Sequence, residues 1–326
     1  MSPSEPIRNV LLTGATGFVG RSVVRELLRR GLTPVCLVRS PQKLFAQHPD
    51  VSPDRLTPIV GTLDDRKAVQ SGADICQAVI HLVGIIIQRR LHGKTFRRIH
   101  VTGTQRIVEA AQRAGIERFV HMSALGSGPD AVSPYHKTKW EGEELVRLSG
   151  LDVTIFRPSL IHGPHGEFTR LLRRFTCGRV PPATPYFGTG KARVQPVSVK
   201  DVAYCLVESL YRPETQGQAF SLGGPRTYTW VELYEACRRI MPGARTFKPL
   251  VSLPVGVAKV LATLSGPPMA LVEMIVPSLG MFRFDTGQVS MSQQDCVCDH
   301  AIAERTFGIE MREFETDLAG YFDLIR

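Results

Sequence analysis

The chain has 326 residues and a mass of 36.0 kDa, which predicts one large domain or a large domain with a smaller lobe. Its hydrophobic content of 43% and charged content of 21% are typical of a folded, water-soluble protein and exclude a disordered chain, a fibre or a membrane bundle. The formal net charge of +10 predicts attraction to phosphates, anionic lipids or acidic partners. Because the arginines are scattered and form no basic tail with interleaved aromatic residues, we expect no nucleic-acid partner.

The seven cysteines and the N-terminus indicate where the protein works. No cysteine pair has metal-finger spacing, so we expect free thiols in a reducing compartment and no metal site, even at Cys296 and Cys298. The first six residues lack the basic start and apolar core of a signal peptide. These features predict a cytoplasmic protein.

Short apolar runs alternate with amphipathic stretches from residue 10 onward. The apolar runs predict strands at 10–13, 35–38, 55–60, 78–83, 117–122 and 152–156, and the amphipathic stretches predict helices at 21–30, 102–114 and 135–149. Strands that are apolar throughout and separated by helices are typical of a parallel sheet covered on both faces. We therefore predict an α/β protein with a Rossmann-type doubly wound parallel sheet.

A looser pattern after Pro164 predicts a smaller C-terminal α/β lobe. Prolines interrupt it, with helices predicted at 199–211 and 229–239, so we expect a first domain over 1–163 and a lobe over 164–326, interleaved with it. Residues 250–282 are apolar, but prolines interrupt them before a membrane span accumulates. They are interpreted as a buried helical pair or, alternatively, as an amphipathic segment that binds a surface or a partner.

A glycine turn follows the first predicted strand and opens the first predicted helix. Gly14 permits the tight turn, Gly17 lets a pyrophosphate approach the backbone, and Gly20 allows the helix to pack closely on the strand. This context predicts a dinucleotide site rather than a structural turn. The residues expected to contact the cofactor here are Gly14, Thr16, Gly17, Phe18, Val19 and Gly20.

The end of the second strand indicates which dinucleotide binds. An Asp or Glu there would hold an adenosine ribose hydroxyl, but the strand ends in Val38-Arg39-Ser40. Arg39 can form charge-assisted bonds to a 2′-phosphate, and Arg21 is a second cation for that group. We expect NADP(H) to be preferred, with NAD(H) as the alternative; the other interpretation of Arg39 is a solvated surface side chain.

Further motifs, in order along the chain, resemble the extended short-chain dehydrogenase/reductase superfamily over about residues 8–245. The resemblance implies an adenine-side turn at Gly61-Thr62-Leu63-Asp64, with Leu63 at the cofactor, and a cofactor-lining segment at Leu82, Val83 and Gly84. It also implies that Pro158, in Arg157-Pro158, lies against the nicotinamide. Similar family segments occur at 101–104 and 197–203.

The YxxxK pair of that superfamily is present as Tyr135 and Lys139. Positions i and i+4 share a helix face, so the Lys139 ammonium can lower the pKa of the phenol and hold the ribose while Tyr135 transfers a proton. Two other family positions depart from the pattern: Ala124 stands where a hydroxyl is expected, with Ser123 or Ser127 as the substitute, and His100 replaces a helix-kinking Asn. The predicted catalytic residues are Tyr135, Lys139 and Ser123.

The segments 95–101 and 121–126 and the apolar tail resemble an atypical subgroup that includes the NADPH-binding accessory subunit of respiratory complex I and its bacterial relatives. The resemblance implies two functions, an NADP(H)-dependent oxidoreductase acting on a small carbonyl, isoprenoid or quinone-like compound, or a non-catalytic accessory protein at a membrane complex. A nucleotide-sugar epimerase or dehydratase is disfavoured, because Val194 stands where those enzymes commonly have an Arg.

A cluster of basic residues is the candidate surface for peripheral membrane association. It consists of Arg89, Arg90, Lys94, Arg97 and Arg98. If this surface docks on a membrane complex, salt should weaken the contact. The alternative is a solvated helix face. Among the histidines, His81 and His121 are interpreted as structural, whereas His162 is expected near the nicotinamide.

Overall fold

The computed structural model describes residues 6–88, 93–179, 181–264 and 286–325. The strands are β1 (Asn9–Thr13), β2 (Thr33–Val38), β3 (Thr57–Val60), β4 (Ala78–His81), β5 (Arg118–Met122), β6 (Asp152–Pro158), β7 (Ile161–His162), β8 (Thr184–Phe187), β9 (Arg193–Val194), β10 (Val197–Ser198), β11 (Ala219–Leu222), β12 (Tyr228–Thr229) and β13 (Leu250–Leu253). The helices are α1 (Phe18–Arg29), α2 (Pro41–Gln47), α3 (Arg66–Ala73), α4 (Gly103–Arg113), α5 (Pro134–Arg147), α6 (Glu167–Cys177), α7 (Val199–Glu208), α8 (Trp230–Ile240), α9 (Val255–Leu264), α10 (Thr286–Met291), α11 (Ala301–Phe307) and α12 (Phe314–Tyr321).

A parallel sheet is the centre of the fold. In the described part of the chain it has seven strands in the order β11-β6-β5-β4-β1-β2-β3, and every pair is parallel. The order runs outward in both directions from β1, which confirms the predicted doubly wound Rossmann-type sheet. Because all strands point the same way, their carboxyl ends share one edge, where such sheets bind ligands.

Two apolar layers cover the sheet. On one face, α1 and α7 pack together and bury Val23, Leu27 and Val202 completely. On the other face, α3, α4 and α5 cover the strands, with Ile107 and Phe119 fully buried. Burial of apolar surface on both faces is the main force that holds these layers together, and it explains why the central strands are apolar throughout.

The structure corrects several predicted boundaries. Strand β4 ends at His81 rather than at residue 83, and α1 begins at Phe18, three residues earlier than predicted. The predicted helix at 102–114 is α4 preceded by one π-helical stretch, Arg97–Thr102. The sequence did not predict the short helices α2 and α3. The side chain of Ser40 caps the start of α2, and that of Asp65 caps the start of α3.

The C-terminal half both completes the sheet and builds a lobe. Strand β11 pairs with β6, so the chain returns to the sheet after leaving it. The lobe has its own core between α6, α8 and α12, around Leu172, Leu233 and Phe314. Three small strand pairs, β10 with β7, β12 with β9 and β13 with β8, surround it.

The apolar segment 250–282 is described only as far as Leu264. Strand β13 pairs with β8, and α9 packs on α10 with Ala258 buried and Val257 and Val260 exposed. The rest of the predicted helical pair lies outside the described residues. Among the described residues, no helix combines the length and the apolar character that crossing a membrane requires.

Candidate functional site

The glycine turn joins β1 to α1 at the carboxyl edge of the sheet. Gly14 has a φ of +78°, which an L side chain rarely adopts, and its carbonyl oxygen accepts a 2.9 Å hydrogen bond from the Gly17 amide. A side chain at Gly20 would overlap the Gly14 carbonyl and the Ala15 backbone. The turn is therefore packed as tightly as a backbone cradle for phosphate requires.

Helix α1 starts directly from this cradle, so its free N–H groups face the edge of the sheet. Val19 is buried in the core, whereas Phe18 is partly buried and packs against the turn that precedes α6. A side chain at Gly166 would approach the Phe18 ring to 2.9 Å. Thr16 is held through its carbonyl oxygen, which accepts a hydrogen bond from Gln47.

Arg39 and Leu63 lie where the sequence expects the adenosine end of a dinucleotide. Arg39 is exposed immediately after β2, and within the described residues its guanidinium has no ion-pair or hydrogen-bond partner. Leu63 is 9% exposed and packs beneath Gly103 at the start of α4. The carboxylate of Asp64, the next residue, forms ion pairs with Arg98 and Arg106. The structure leaves Arg39 as a cation without a counter-charge.

The segment Leu82–Gly84 follows β4 along the same edge. The Leu82 amide donates to Thr13, and Gly84 is exposed. A side chain at Gly84 would come within 4.0 Å of Lys139 Nζ. Pro158 ends β6, is buried, and accepts a hydrogen bond from the Leu125 amide.

Helix α5 presents Tyr135 and Lys139 to this edge. Ser133 caps the helix by accepting from the His136 amide, and Pro134 occupies its first position. Lys139 is 4% exposed, and its Nζ donates a 2.6 Å hydrogen bond to the Met122 carbonyl at the end of β5. Tyr135, one turn earlier, is partly buried with its ring edge-on to Phe96 and His100.

Burial shifts both pKa values. It lowers the pKa of Lys139 to about 8, although the Glu143 carboxylate one turn later opposes the shift. It raises the pKa of Tyr135 to about 12, with a smaller contribution from the Cys296 thiol nearby, so the lowering by Lys139 that the sequence predicted is wrong for the protein without a bound ligand. At neutral pH, Tyr135 is therefore a neutral phenol that can donate a proton, and Lys139 is mostly an ammonium ion.

A chain of buried histidines and threonines runs beneath the edge. Thr13 Oγ1 contacts His81 Nδ1 at 2.7 Å, His81 Nε2 contacts Thr104 Oγ1 at 3.1 Å, and Thr104 donates to the His100 carbonyl. His100 Nε2 accepts from the Ile85 amide, so its Nδ1 carries the proton and donates to Thr138 Oγ1. The chain links β1 to α5 through defined tautomers.

His100 thus has a positioning role that the sequence did not predict. It replaces the expected Asn and bridges the loop after Gly84 to Thr138, between Tyr135 and Lys139 on α5. Burial, reinforced by the Lys139 charge, lowers the pKa of His100 to about 3, so the ring is neutral. His100 lies in the π-helical stretch Arg97–Thr102, which directly precedes α4.

The position expected for the family hydroxyl holds no hydroxyl. Ala124 is 8% exposed at the end of β5, and the hydroxyl of Ser123, 3% exposed, donates to Ser127 at 3.2 Å. On the other side, Ser159 directly follows Pro158 and contacts Cys296 Sγ at 3.3 Å. Ser159 and Cys296 are polar groups at this site that the sequence did not predict, because a distant loop brings Cys296 to β6.

His162 and Cys298 contact other residues of the protein. His162 is fully buried on β7, where its Nδ1 is 2.9 Å from the Tyr321 hydroxyl and its ring packs edge-on to Phe314. Burial lowers the pKa of His162 to about 4. The Cys298 amide donates to Gln195. In the part of the chain that the structure covers, no group of three or more His, Cys, Asp or Glu side chains is arranged to hold a metal.

Part of the predicted basic surface is neutralised within the protein. Arg97 pairs with Glu141 at 2.6 Å, and Arg98 pairs with Asp64 at 2.6 Å. Arg89 and Arg90 lie outside the described residues. Both pairs are exposed to solvent and therefore weak, so they lower the local positive charge but leave the two guanidiniums accessible.

The amino-acid sequence is similar to a described protein family and to several named proteins. The family model described as the NAD dependent epimerase/dehydratase family matches residues 10–223. A protein named ceramide reductase from Caulobacter vibrioides is 33% identical over 71% of this chain and 70% of its own length. The mitochondrial NADH-ubiquinone oxidoreductase 40 kDa subunit of Neurospora crassa is 29% identical over 69% of this chain but only 58% of its own length.

Solved structures share the fold at low sequence identity. MoeE5 in complex with UDP-glucose and NAD has a TM-score of 0.72 and 22% identity, covering 97% of this chain and 98% of that one. The terminal R domain from the myxalamid biosynthetic pathway has a TM-score of 0.72 and 23% identity, covering 98% and 91%. At this level of identity, the similarity shows the fold alone.

Proposed function

Because the chain belongs to the NAD-dependent epimerase/dehydratase family, within the extended short-chain dehydrogenases/reductases, we propose that it is an NADP(H)-dependent oxidoreductase of a small carbonyl, isoprenoid or quinone-like compound. One observation carries the proposal: α5 places Tyr135 one turn before Lys139, whose ammonium is buried beside Gly84 at the carboxyl edge of the sheet. Such an edge is where ligands bind in this fold.

The residues at the edge fit a dinucleotide. Gly14 and Gly20 allow the tight turn and the close packing of α1 on it, Gly17 would let a pyrophosphate approach the backbone, and the N–H groups of α1 would hold it. Gly84 would leave space for the nicotinamide ribose beside Lys139. The unpaired guanidinium of Arg39 supports an adenosine 2′-phosphate, hence NADP(H) over NAD(H).

The chemistry requires one proton and one hydride. When bound, the reduced cofactor supplies the hydride to the carbonyl carbon. Tyr135 donates its phenolic proton to the carbonyl oxygen, and the Lys139 ammonium stabilises the phenolate that results. The product is the alcohol, and the phenol regains its proton from solvent. Because burial raises the pKa of Tyr135 to about 12, its resting form at neutral pH is the neutral phenol, which is the proton donor that carbonyl reduction requires.

The relative named ceramide reductase supports a lipid carbonyl as the first substrate class to assay. The surroundings of β9 argue against a nucleotide-sugar substrate. Val194 is 2% exposed in the core of the lobe, and the neighbouring Arg193 is held by Asp295 at 2.6 Å. Neither side chain is free to hold a nucleotide phosphate.

A second candidate function is an accessory protein that binds NADP(H) without catalysis and associates peripherally with a membrane respiratory complex. Ala124 favours it, because the hydroxyl that would polarise a substrate carbonyl is missing from that position. Relatives named as mitochondrial subunits of NADH-ubiquinone oxidoreductase, from Neurospora crassa, and of NADH dehydrogenase, from Arabidopsis thaliana, support it as well. In this function the nucleotide would stabilise the fold.

The cofactor proposal is tested by paired fluorescence titrations with NADPH and NADH at one salt concentration. We expect tighter binding of NADPH, and we expect Arg39→Asp to weaken NADPH binding at least about tenfold while leaving NADH binding unchanged. Arg8→Asp is the matched control, since Arg8 is exposed just before β1 at the opposite edge of the sheet. An unchanged preference in Arg39→Asp would overturn the assignment of Arg39.

Catalysis is tested with Tyr135→Phe. We expect the rate of carbonyl reduction to fall about 10²- to 10⁴-fold, because the proton donor is lost, while NADPH affinity changes little. Tyr211→Phe, at a half-exposed tyrosine outside the site, is the control and should keep full activity. If NADPH binds but no substrate of the lipid-carbonyl class is reduced by the unmodified protein, the accessory function takes precedence.

A further inference from the structure

Three consecutive isoleucines follow Gly84 in the loop that leaves the sheet after β4. This isoleucine loop, residues 85–87, is neither strand nor helix, and Ile86 is 49% exposed. None of the three side chains belongs to one of the apolar cores that the described residues form. Sequences that fold rarely place a run of large apolar side chains at the surface unless the run has a function. The isoleucine loop therefore indicates a binding surface.

The isoleucine loop lies beside Tyr135. The Ile85 amide donates to His100 Nε2 at 3.1 Å, and the His100 ring is edge-on to the Tyr135 ring, with 5.5 Å between their centroids. Gln88, directly after the loop, accepts a 3.2 Å hydrogen bond from the Phe96 amide. The Phe96 ring is also edge-on to Tyr135, at 5.9 Å. Both ends of the loop are therefore tied to residues whose rings pack on the proposed proton donor.

A second exposed apolar side chain lies in the segment that leads into α5. Val132 is 61% exposed, directly before the Ser133 cap and three residues before Tyr135. The turn that precedes this segment is fixed to the site as well, because the Leu125 amide donates to the Pro158 carbonyl at 3.0 Å. Single exposed apolar residues are normal. Here, however, the isoleucine loop and Val132 belong to the two segments next to the proposed proton donor.

This position determines what the apolar side chains can bind. A carbonyl oxygen that accepts a proton from Tyr135 lies within about 2.6–3.2 Å of its hydroxyl, so the rest of the substrate extends across the neighbouring segments. Isoleucine and valine side chains offer neither a hydrogen bond nor a charge to a polar group there. A hydrocarbon chain would remove them from water, and each buried methylene increases affinity about fourfold.

We propose that the isoleucine loop and Val132 bind the hydrocarbon chain of a substrate whose carbonyl group is reduced beside Tyr135. This inference rests on the proposed function and narrows its substrate class to long-chain carbonyl compounds. Recognition depends on the length of the chain and not on its charge. A lipid bilayer is the competing occupant of an exposed apolar loop, and the test separates it from a single chain.

Binding is measured with hexanol, octanol and decanol, which NADPH cannot reduce, so the result does not depend on catalysis. Calorimetry with NADPH present should show affinity rising about tenfold from each alcohol to the next, which is two methylenes longer. Ile86→Asn and Val132→Asn should each weaken decanol binding about tenfold. Ile302→Asn on α11 and Val260→Asn on α9 are matched controls, because they change similarly exposed side chains away from the site, and should leave decanol binding unchanged.

Reduction is then measured with the aldehydes of the same three lengths. In the unmodified protein, kcat/KM should be about a hundredfold higher for decanal than for hexanal, and this ratio should fall about tenfold in Ile86→Asn and in Val132→Asn. The ratio compares two substrates in one variant. A general loss of folded protein or of cofactor binding therefore does not change it.

The outcomes separate the hydrocarbon site from the proposed function. If Ile86→Asn and Val132→Asn behave as the two controls do, the hydrocarbon site is wrong, whatever the protein reduces. If both variants lose decanol binding but the unmodified protein reduces no aldehyde, the hydrocarbon site stands and the proposed function is wrong. If Ile86→Asn weakens binding to vesicles of phosphatidylcholine and phosphatidylglycerol but not to decanol, the isoleucine loop contacts a membrane, and the proposal is wrong.

Discussion

Lys139 shows how one side chain connects packing to chemistry. Its ammonium is buried on the Met122 carbonyl, so part of the hydration that stabilises a free lysine is lost and its pKa falls to about 8. A lysine whose pKa lies this close to neutrality changes charge within the working range of most enzymes. The buried position therefore makes the proposed reaction sensitive to pH at one residue.

The pH profile tests this role. As pH rises through about 8, Lys139 loses the charge that stabilises the Tyr135 phenolate, so kcat/KM for carbonyl reduction should fall. Tyr135 itself, with a pKa of about 12, stays protonated over this range. The measurement is kcat/KM from about pH 6 to about pH 10, a range that spans the pKa of Lys139 and stops below that of Tyr135. A profile that stays flat to the alkaline end would contradict a role for the ammonium.

At the scale of elements, an ion pair ties the helix of the site to the sheet. Glu143 of α5 is fully buried and accepts hydrogen bonds from Arg157 of β6 at 3.0 and 2.5 Å. Trp140 lies beneath the Arg157 guanidinium, 5.4 Å from it. Since Glu143 is one turn after Lys139, this pair fixes the turn of α5 that carries the ammonium.

Glu143→Gln should therefore destabilise the protein by about 3 kcal/mol, because it leaves the partly buried Arg157 without a counter-charge. Urea unfolding monitored by circular dichroism measures the change in the free energy of unfolding. Glu144→Gln, next along the helix, removes a half-exposed partner of Arg147 and should cost less than about 1 kcal/mol. An equal decrease in the free energy of unfolding for both variants would show that the buried Glu143–Arg157 pair stabilises the protein no more than an exposed pair does.

The same scale shows what the sequence could predict. The strands β1 to β6 and the helices α1, α4 and α5 follow from apolar periodicity and glycine punctuation, and the glycine turn and Tyr135-Lys139 pair follow from motifs. Strand β11, the seventh strand of the described sheet, was not predicted. The position of His100 in the chain of buried histidines and threonines could not be predicted, because a π-helical stretch brings it there. The contact of Cys296 with Ser159 could not be predicted either, because the two residues are 137 positions apart in sequence. Local patterns do not encode such contacts.

At the scale of the whole molecule, five histidines of the described residues are buried in an uncharged form. His48, His81, His100, His121 and His162 are each at most 1% exposed, and burial lowers the pKa of every one of them below its ordinary value. All five lie within residues 1–163. The folded protein therefore takes up fewer protons than the unfolded chain in mild acid.

Acid should consequently destabilise the fold. Below an unfolded pKa of about 6.5, each such histidine favours the unfolded chain, by about 2 kcal/mol for one whose folded pKa is well below 5 when the pH reaches 5. His121→Phe isolates one share, because neither ring nitrogen of His121 has a partner among the described residues to lose. Unfolding free energies at pH 7.5 and pH 5 should show a smaller acid loss in the variant. An equal loss would indicate that His121 is protonated in the fold.

The return of the chain to its own sheet makes the two halves mutually dependent. Strand β11 shields the edge of β6, and α7 shields the apolar face of α1, yet both come from residues beyond 163. A polypeptide cut at that point would expose an unpaired strand edge and a bare helix face, both of which invite aggregation. Synthesis on the ribosome meets the same condition: the first half cannot reach its final form until residue 222 has emerged.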